Sequence, residues 1–427
     1  MGEKRRISFE KVMGIALLAL MIIQFLMLVY FNLKLDAQHM DYDSSWVYLK
    51  TAMVWKEKRF ASPNWAETTN SFLDLPLPFA SLLYGITGRL FFSYGTSTLL
   101  VLIGILTTAF FILKRFNVKK LGIFVVLNLI ICPYLTNGFN QIIELGYFNC
   151  VLAGPAYYSV RTLIVLLMIL EYLNIQEKKK IDFIAFLTFG LCFASGASSG
   201  VFLIAMIIVP IIAYSFECMF IKNDFKVILK KESIYAYVSI LFVILGKLFA
   251  SHILHLNIRD SGNNWTSVTD FWKNFGAPIQ GLLKLMEVFP VLDTDVSVLS
   301  ARGIAVLFPL FILFVVFISF LFASISIYKK INEKTGIVPE VLFFVNIIVV
   351  NFLMFGFMKV QYGSPVFEDR YLISSLLALF LLVGIFINNI KMDLLISKFI
   401  LVGLFVSVLA INIISDKNYI GFSNNYD

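Results

Sequence analysis

Residues 73–93 read LDLPLPFASLLYGITGRLFFS, and whether this stretch crosses a membrane decides the topology of the whole chain. It is apolar and long enough for a transmembrane helix. It also contains Pro76, Pro78, Gly85 and Gly88. Proline removes a helix donor and clashes with the turn before it, and glycine weakens a helix, so the four residues disfavour a straight span. Charge is the second criterion. Basic residues cluster at Lys4/Arg5/Arg6/Lys11, Lys114/Arg115/Lys119/Lys120, Lys178/Lys179/Lys180, Lys222/Lys226/Lys230/Lys231 and Lys329/Lys330/Lys334. If 73–93 crosses, the Lys114 cluster and those after it fall outside, opposite the N-terminal cluster. If it does not, every basic cluster shares one side, and the positive-inside rule makes that side cytoplasmic. We therefore read 73–93 as a helix lying at, or dipping into, the outer membrane surface.

The rest of the chain follows from this choice. Of 427 residues, 59% are hydrophobic and 15% charged, with mean hydropathy +0.86. A soluble globular chain is about 45–50% apolar and about 25% charged, and a chain of this length could not hide so much apolar surface from water. Apolar runs of span length lie at 12–33, 96–113, 121–136, 158–175, 181–197, 200–220, 233–253, 303–327, 338–358, 371–389 and 396–414. The expectation is an all-α integral membrane protein of about eleven transmembrane helices, a single polytopic domain over 1–427 without a soluble domain. The start, MGEKRRISFEKV, is basic, but the run after it is too long for a signal peptide and lacks a clear cleavage site, so it reads as a retained first helix. The N-terminus is then cytoplasmic and the C-terminus extracytoplasmic, in a multi-pass protein of the cell membrane. Residues 34–95 and 254–302 form long outward loops. The net charge of +8 is spread in short clusters between apolar runs, which orients a chain in lipid and argues against nucleic acid. The short cytoplasmic loops contain no Gly-rich phosphate loop, which argues against a nucleotide-driven transporter. Cys132, Cys150, Cys192 and Cys218 show no metal-ligand spacing and read as small buried hydrophobes.

The outward loops are the natural place for chemistry. Asp41 and Asp43 follow the first span; carboxylates there can act as a general base or bind a divalent cation, magnesium or manganese, through oxygen. Residues 44–58, SSWVYLKTAMVWKEK, read as an amphipathic surface helix with Trp46, Leu49, Met53 and Trp55 toward lipid and Lys50, Lys56 and Lys58 toward the headgroups. Glu368, Asp369, Arg370 and Tyr371 open the tenth span. An Arg at that depth can pair bidentately with phosphate, or anchor the helix by snorkelling. Arg161 and Arg302, at the outer starts of the fourth and eighth spans, have the same two readings. His252 and His255 share a helix face but suit interfacial histidines better than a metal pair. Asp293 and Asp295 suit a solvated turn. The small residues Ser195, Gly196, Ser198, Ser199 and Gly200 suit close helix packing.

Assembled, these features resemble the GT-C superfamily of polytopic glycosyltransferases. The resemblance begins at Asp41/Asp43 and continues in LDLPLPFASLLYGITG at 73–88, similar to the Pro-containing helix that precedes the second span in many members. It includes KRF at 114–116 and ends at EDRYL, 368–372, like a late Arg-Tyr motif. SPNWAETTNSF, 62–72, with Trp65, is similar to uncharacterised bacterial members. Asp-Tyr-Asp stands where Asp-Glu is common in the family. The resemblance implies transfer of a sugar from a polyprenyl-phosphate carrier, a lipid-linked donor, to a glycan, lipid or protein acceptor outside the cell. It implies an acid of the first loop as base or metal ligand and a basic residue on the carrier phosphate. A carrier or flippase for lipid-linked saccharides and a non-enzymatic membrane assembly protein are the alternatives.

The topology is open to direct labelling. In a variant without the native cysteines, cysteine at position 64 or 264 should react with an impermeant reagent added outside, and cysteine at 118, 120 or 179 should not. Outside labelling at position 118 would make 73–93 a full span.

Overall fold

The computed structural model describes residues 8–39, 42–62, 65–67, 71–74, 76–136, 146–154, 156–256, 264–265, 271–272, 275–288, 297, 299–333, 339–359 and 369–421. These residues are helical apart from one short antiparallel ladder, in which β1 (Asn264–Trp265) pairs with β2 (Met358–Lys359). The helices are α1 (Phe9–Tyr30), α2 (Tyr42–Glu57), α3 (Leu77–Thr87), α4 (Leu90–Arg115), α5 (Lys120–Ile131), α6 (Ser159–Lys178) and α7 (Phe183–Ala197). They continue with α8 (Val209–Lys222), α9 (Lys231–Leu248), α10 (Ala277–Leu285), α11 (Ala301–Glu333), α12 (Pro339–Gly356), α13 (Ile373–Asn389) and α14 (Leu395–Gly421).

Among the described residues, eight helical segments are long and apolar enough to cross a membrane, from Phe9–His39 to Leu395–Gly421. The expected spans 121–136, 181–197 and 338–358 fall on the shorter apolar helices Lys120–Ile131, Phe183–Ala197 and Val341–Gly356. Polar residues within the helices bond their own backbone one turn back: Ser97, Thr108, Thr162, Ser239 and Ser319 each donate to the carbonyl four residues earlier. That is the local solution where no water is at hand. The four cysteines are all free and buried.

Contacts sort the helix ends into two groups. At one end, Arg115 reaches the Leu173 carbonyl, Asn174 Oδ1 (2.8 Å) and Glu177 (2.7 Å). Lys231 Nζ donates to the Lys179 carbonyl, Lys179 pairs with Glu232, and the Lys119 N–H donates to Asn388 Oδ1. The Lys114, Lys178 and Lys222 clusters therefore gather there. At the other end, Tyr419 closes α14 against Phe31 and His39, and Arg161, Ser198 and Tyr371 come together.

Residues 73–93 cover α3, eleven residues long, or about 16 Å at 1.5 Å per residue, and the first turn of α4. Asp74, just before α3, hydrogen-bonds Ser198. After α3 the chain turns at Gly88 in the left-handed region (φ +66°), and Thr87 meets Ser93 at the start of α4. Gly95 then lets α4 approach the Asn32 carbonyl, where a Cβ would clash at 1.9 Å. Helix α3 thus leaves and returns to the same end of the bundle. The surface helix expected over 44–58 is present as α2, with Leu49 exposed, but Lys50 does not face headgroups. It is fully buried, because Glu67 folds back onto it.

The closest helix crossing is between α7 and α9, where Gly196 and Gly246 face the opposing backbone. A Cβ on Gly246 would lie 2.0 Å from the Phe193 carbonyl oxygen, whereas one on Gly190 would meet nothing within 4 Å. Gly246→Ala should therefore destabilise by about 1–3 kcal/mol, and Gly190→Ala should be harmless. Melting of the two variants in detergent checks this.

Candidate functional site

The end opposite the basic clusters holds a buried polar assembly built on the corner Gly154–Arg161. Tyr158 precedes α6 and Arg161 lies in its first turn, 4% exposed. A guanidinium buried so deeply needs a partner. Arg161 Nε lies 3.4 Å from Asp74 Oδ2, and its terminal nitrogen donates to the Ser198 carbonyl. The Asp74 backbone N–H donates to Ser198 Oγ at 2.6 Å. Burial pushes the Asp74 carboxyl above its usual range, and the Arg161 charge opposes that shift. Arg161 is thus a structural ion pair and not a snorkelling anchor.

Arg370 arrives from the other side. It lies half-buried in the 3-10 turn Asp369–Leu372 ahead of α13. The two guanidinium carbons lie 4.8 Å (Arg161) and 5.4 Å (Arg370) from the centroid of the Tyr158 ring, and each guanidinium feels the other's charge. Tyr371 is buried and stacks on Phe202 and Phe355. Cation–π attraction to Tyr158 offsets part of the repulsion between the two arginines.

A second acid lies nearby. Asp36, at the end of the helix that α1 begins, is 2% exposed. The Tyr48 hydroxyl donates to its Oδ2, and Oδ1 has no hydrogen-bond partner. Gly154, left-handed at φ +66°, stands beside it; a Cβ there would begin 4.0 Å from Oδ1. Burial and the Asp36 charge both push the Tyr48 hydroxyl up, so it remains a donor. Tyr94 packs edge-on against Tyr48 at 5.0 Å and feels both Asp36 and Asp74. Asp36, Tyr48 and Tyr94 therefore form one polar group, and Asp74, Arg161, Tyr158 and Arg370 a second.

The loop carrying Asp74 is fastened a second time. Lys50 Nζ reaches Glu67 Oε1 and the Ser71 carbonyl, both at 2.5 Å, and Ser71 Oγ donates to the Ala197 carbonyl. Burial pushes Lys50 down and Glu67 up; the pairing opposes both. Trp65, expected on the substrate, hydrogen-bonds Glu67 and packs edge-on against Trp46 at 4.9 Å, so it supports this clasp.

Of the expected residues, Arg161, Arg370 and Tyr371 come together, with Asp369 half-buried beside Arg370. Arg302 is half-buried in the first turn of α11. Glu368, Asp41, Asp293 and Asp295 lie outside the described residues, as does the side chain of Asp43 in α2. His252 and His255 are exposed. Among the described residues no group of three or more His, Cys, Asp or Glu could hold a metal. Sequence reasoning passed over Asp36 and Asp74. Asp74 had a signal, a lone acid within an apolar stretch. Compared with models of protein families, with curated proteins and with solved structures, the chain matches none.

The clasp has a measurable consequence. Lys50→Met leaves Glu67 buried and unpaired, which should cost about 3–5 kcal/mol. Adding Glu67→Leu should recover most of that loss in a thermal melt of the purified protein.

Proposed function

We propose that this chain is a membrane glycosyltransferase of GT-C type that moves a sugar from a polyprenyl-phosphate carrier to an acceptor on the extracytoplasmic face. The observation that carries the reading is the convergence of Arg161 and Arg370 on the Tyr158 ring, with the Asp74 carboxylate paired to Arg161. A carrier phosphate sits at headgroup depth with its chain in the hydrocarbon. A pair of guanidiniums at the end of a helix bundle suits such a group, because the planar fork binds phosphate through parallel hydrogen bonds. The proposed topology has eleven crossings with the N-terminus inside, the basic clusters at the cytoplasmic end and the site at the outer end.

Arg370 holds the carrier phosphate in this reading. Arg161, fixed by Asp74 and Ser198, supplies the second positive charge and is a positioning residue for the Tyr158 corner. The acid is drawn from the first loop. Asp36 joins Asp41 and Asp43 as a choice for base or cation ligand, and its geometry favours it: one oxygen is held by Tyr48 and the other has no hydrogen-bond partner. Magnesium or manganese would be held by these first-loop acids. A carrier or flippase would bind the same lipid phosphate without transferring sugar.

Titration of purified protein with a polyprenyl-phosphate sugar, alongside a transfer assay, tests the reading. Arg370→Lys keeps charge and loses the fork, so it should be intermediate. Arg370→Ala should weaken binding by about ten- to a hundred-fold, the worth of one charge-assisted hydrogen bond. Asp36→Asn should lower transfer by about 10²–10⁴-fold with binding retained, and parallel Asp41→Asn and Asp43→Asn variants identify the acid. Binding without transfer by the wild type would favour the flippase. Unchanged affinity in folded Arg370→Ala would leave Arg370 structural and remove the phosphate site.

A further inference from the structure

The second outward loop carries an aromatic surface that the site does not use. Trp272 is 72% exposed, and Phe275 and Ile279 are each 51% exposed. Together with Gly276 and Gln280 they form the exposed face of 272–280 among the described residues, and none of them is charged. The opposite face of α10 is buried through Pro278, Gly281, Leu282 and Leu285. That buried face packs against the turn Asp369–Leu372, which carries Arg370, and against α12. Among the described residues no apolar neighbour covers the exposed face, and three large apolar side chains held in water would be costly.

Continuity points to the occupant. Phe271, beneath the patch, stacks on Phe357 at 4.3 Å and lies against Gly356 at the end of α12. The outer face of α12 leads directly there, with Val349 and Leu353 exposed by 42% and 43%. These belong to the apolar flank of one of the shorter apolar helices, on the expected span 338–358. The patch extends that flank at the level where the bundle ends, and exposed Trp and Phe are the side chains suited to a membrane boundary.

We propose that Trp272, Phe275 and Ile279 insert into the acyl-chain region of the leaflet at the site end of the bundle. The hydrocarbon of the bilayer is the partner of this surface. Helix α10 then stands as a wall, with lipid on one face and the Arg370 turn on the other. The inference stands apart from the glycosyltransferase reading, since it needs only that the protein spans a membrane.

Full-length protein in vesicles of phosphatidylcholine and phosphatidylglycerol tests it. The difference in emission between wild type and Trp272→Phe isolates the Trp272 signal. Lipids brominated near the top of the acyl chain should quench about half of that signal, as expected for insertion about 5–10 Å deep, and aqueous iodide should leave it nearly unchanged. A nitroxide on Ile279→Cys provides an independent measure, and it should be relaxed more by oxygen than by a water-soluble nickel complex. Quenching of Trp272 by iodide with no effect of brominated lipid would overturn the proposal. Preferential access of nickel to position 279 would overturn it equally, and would give the surface to water or to a protein partner.

Discussion

The buried pair of Arg161 and Asp74 is the contact on which the architecture of the site end depends. A guanidinium in the first turn of α6, 4% exposed, has to meet a counter-charge or leave the bundle. Its partner comes from a segment eighty-odd residues earlier in the chain, so satisfying one charge brings the whole first loop down onto the helix ends. Ser198 makes the joint specific. Its carbonyl accepts from Arg161, and its hydroxyl accepts from the Asp74 backbone. The small residues at this corner allow that approach, with Gly196 and Gly200 both in close contact with backbone or serine atoms.

Other features of the loop follow from that joint. Once Asp74 is fixed, α3 can only begin at the site end, and the left-handed turn at Gly88 sends the chain directly into α4. Glu67 and Ser71 are then held between α2 and the Ala197 corner, where Lys50 and Glu67 satisfy each other away from water. Neither ion pair is needed for net stability in the way an apolar contact is. Both specify position, since each charge is tolerable only with its partner in place. The aromatic residues around Tyr158 and Tyr371 complete a rigid setting in which two like charges can be held close together.

The arrangement separates the chain's charge by role. Lysine-rich connections collect at one end, where they are exposed and can act as orienting charge. The arginines and acids of the site collect at the other, where they are buried or half-buried and held by neighbours. A transporter would more naturally place its ionisable groups near the bundle's middle. One described polar pair within the helices, Gln24 with Asp416 at 3.3 Å, lies toward the site ends of α1 and α14.

Much of the fold was legible in sequence because lipid imposes simple rules. Apolar length marked the helices, Pro76, Pro78 and the glycines demoted 73–93, and the lysine clusters grouped the helix ends. Arg161, Arg370 and Tyr371 were visible as ionisable or amphipathic groups at span ends. Their meeting on one ring was not, because nothing in residues 154–161 or 366–372 states which helices are neighbours. Lys50 shows the same limit. On its own helix it had the pattern of a headgroup lysine, and only the return of Glu67 buried it. Asp36 and Asp74 were hidden for the matching reason: each sits in or beside an apolar run, and what makes it a site residue is a partner distant in sequence. Hydropathy and charge are local quantities, so the chain alone determined which segments are helical and which ends go together. Burial, pairing and the convergence of two guanidiniums depend on three-dimensional proximity, and only the tertiary structure decided those.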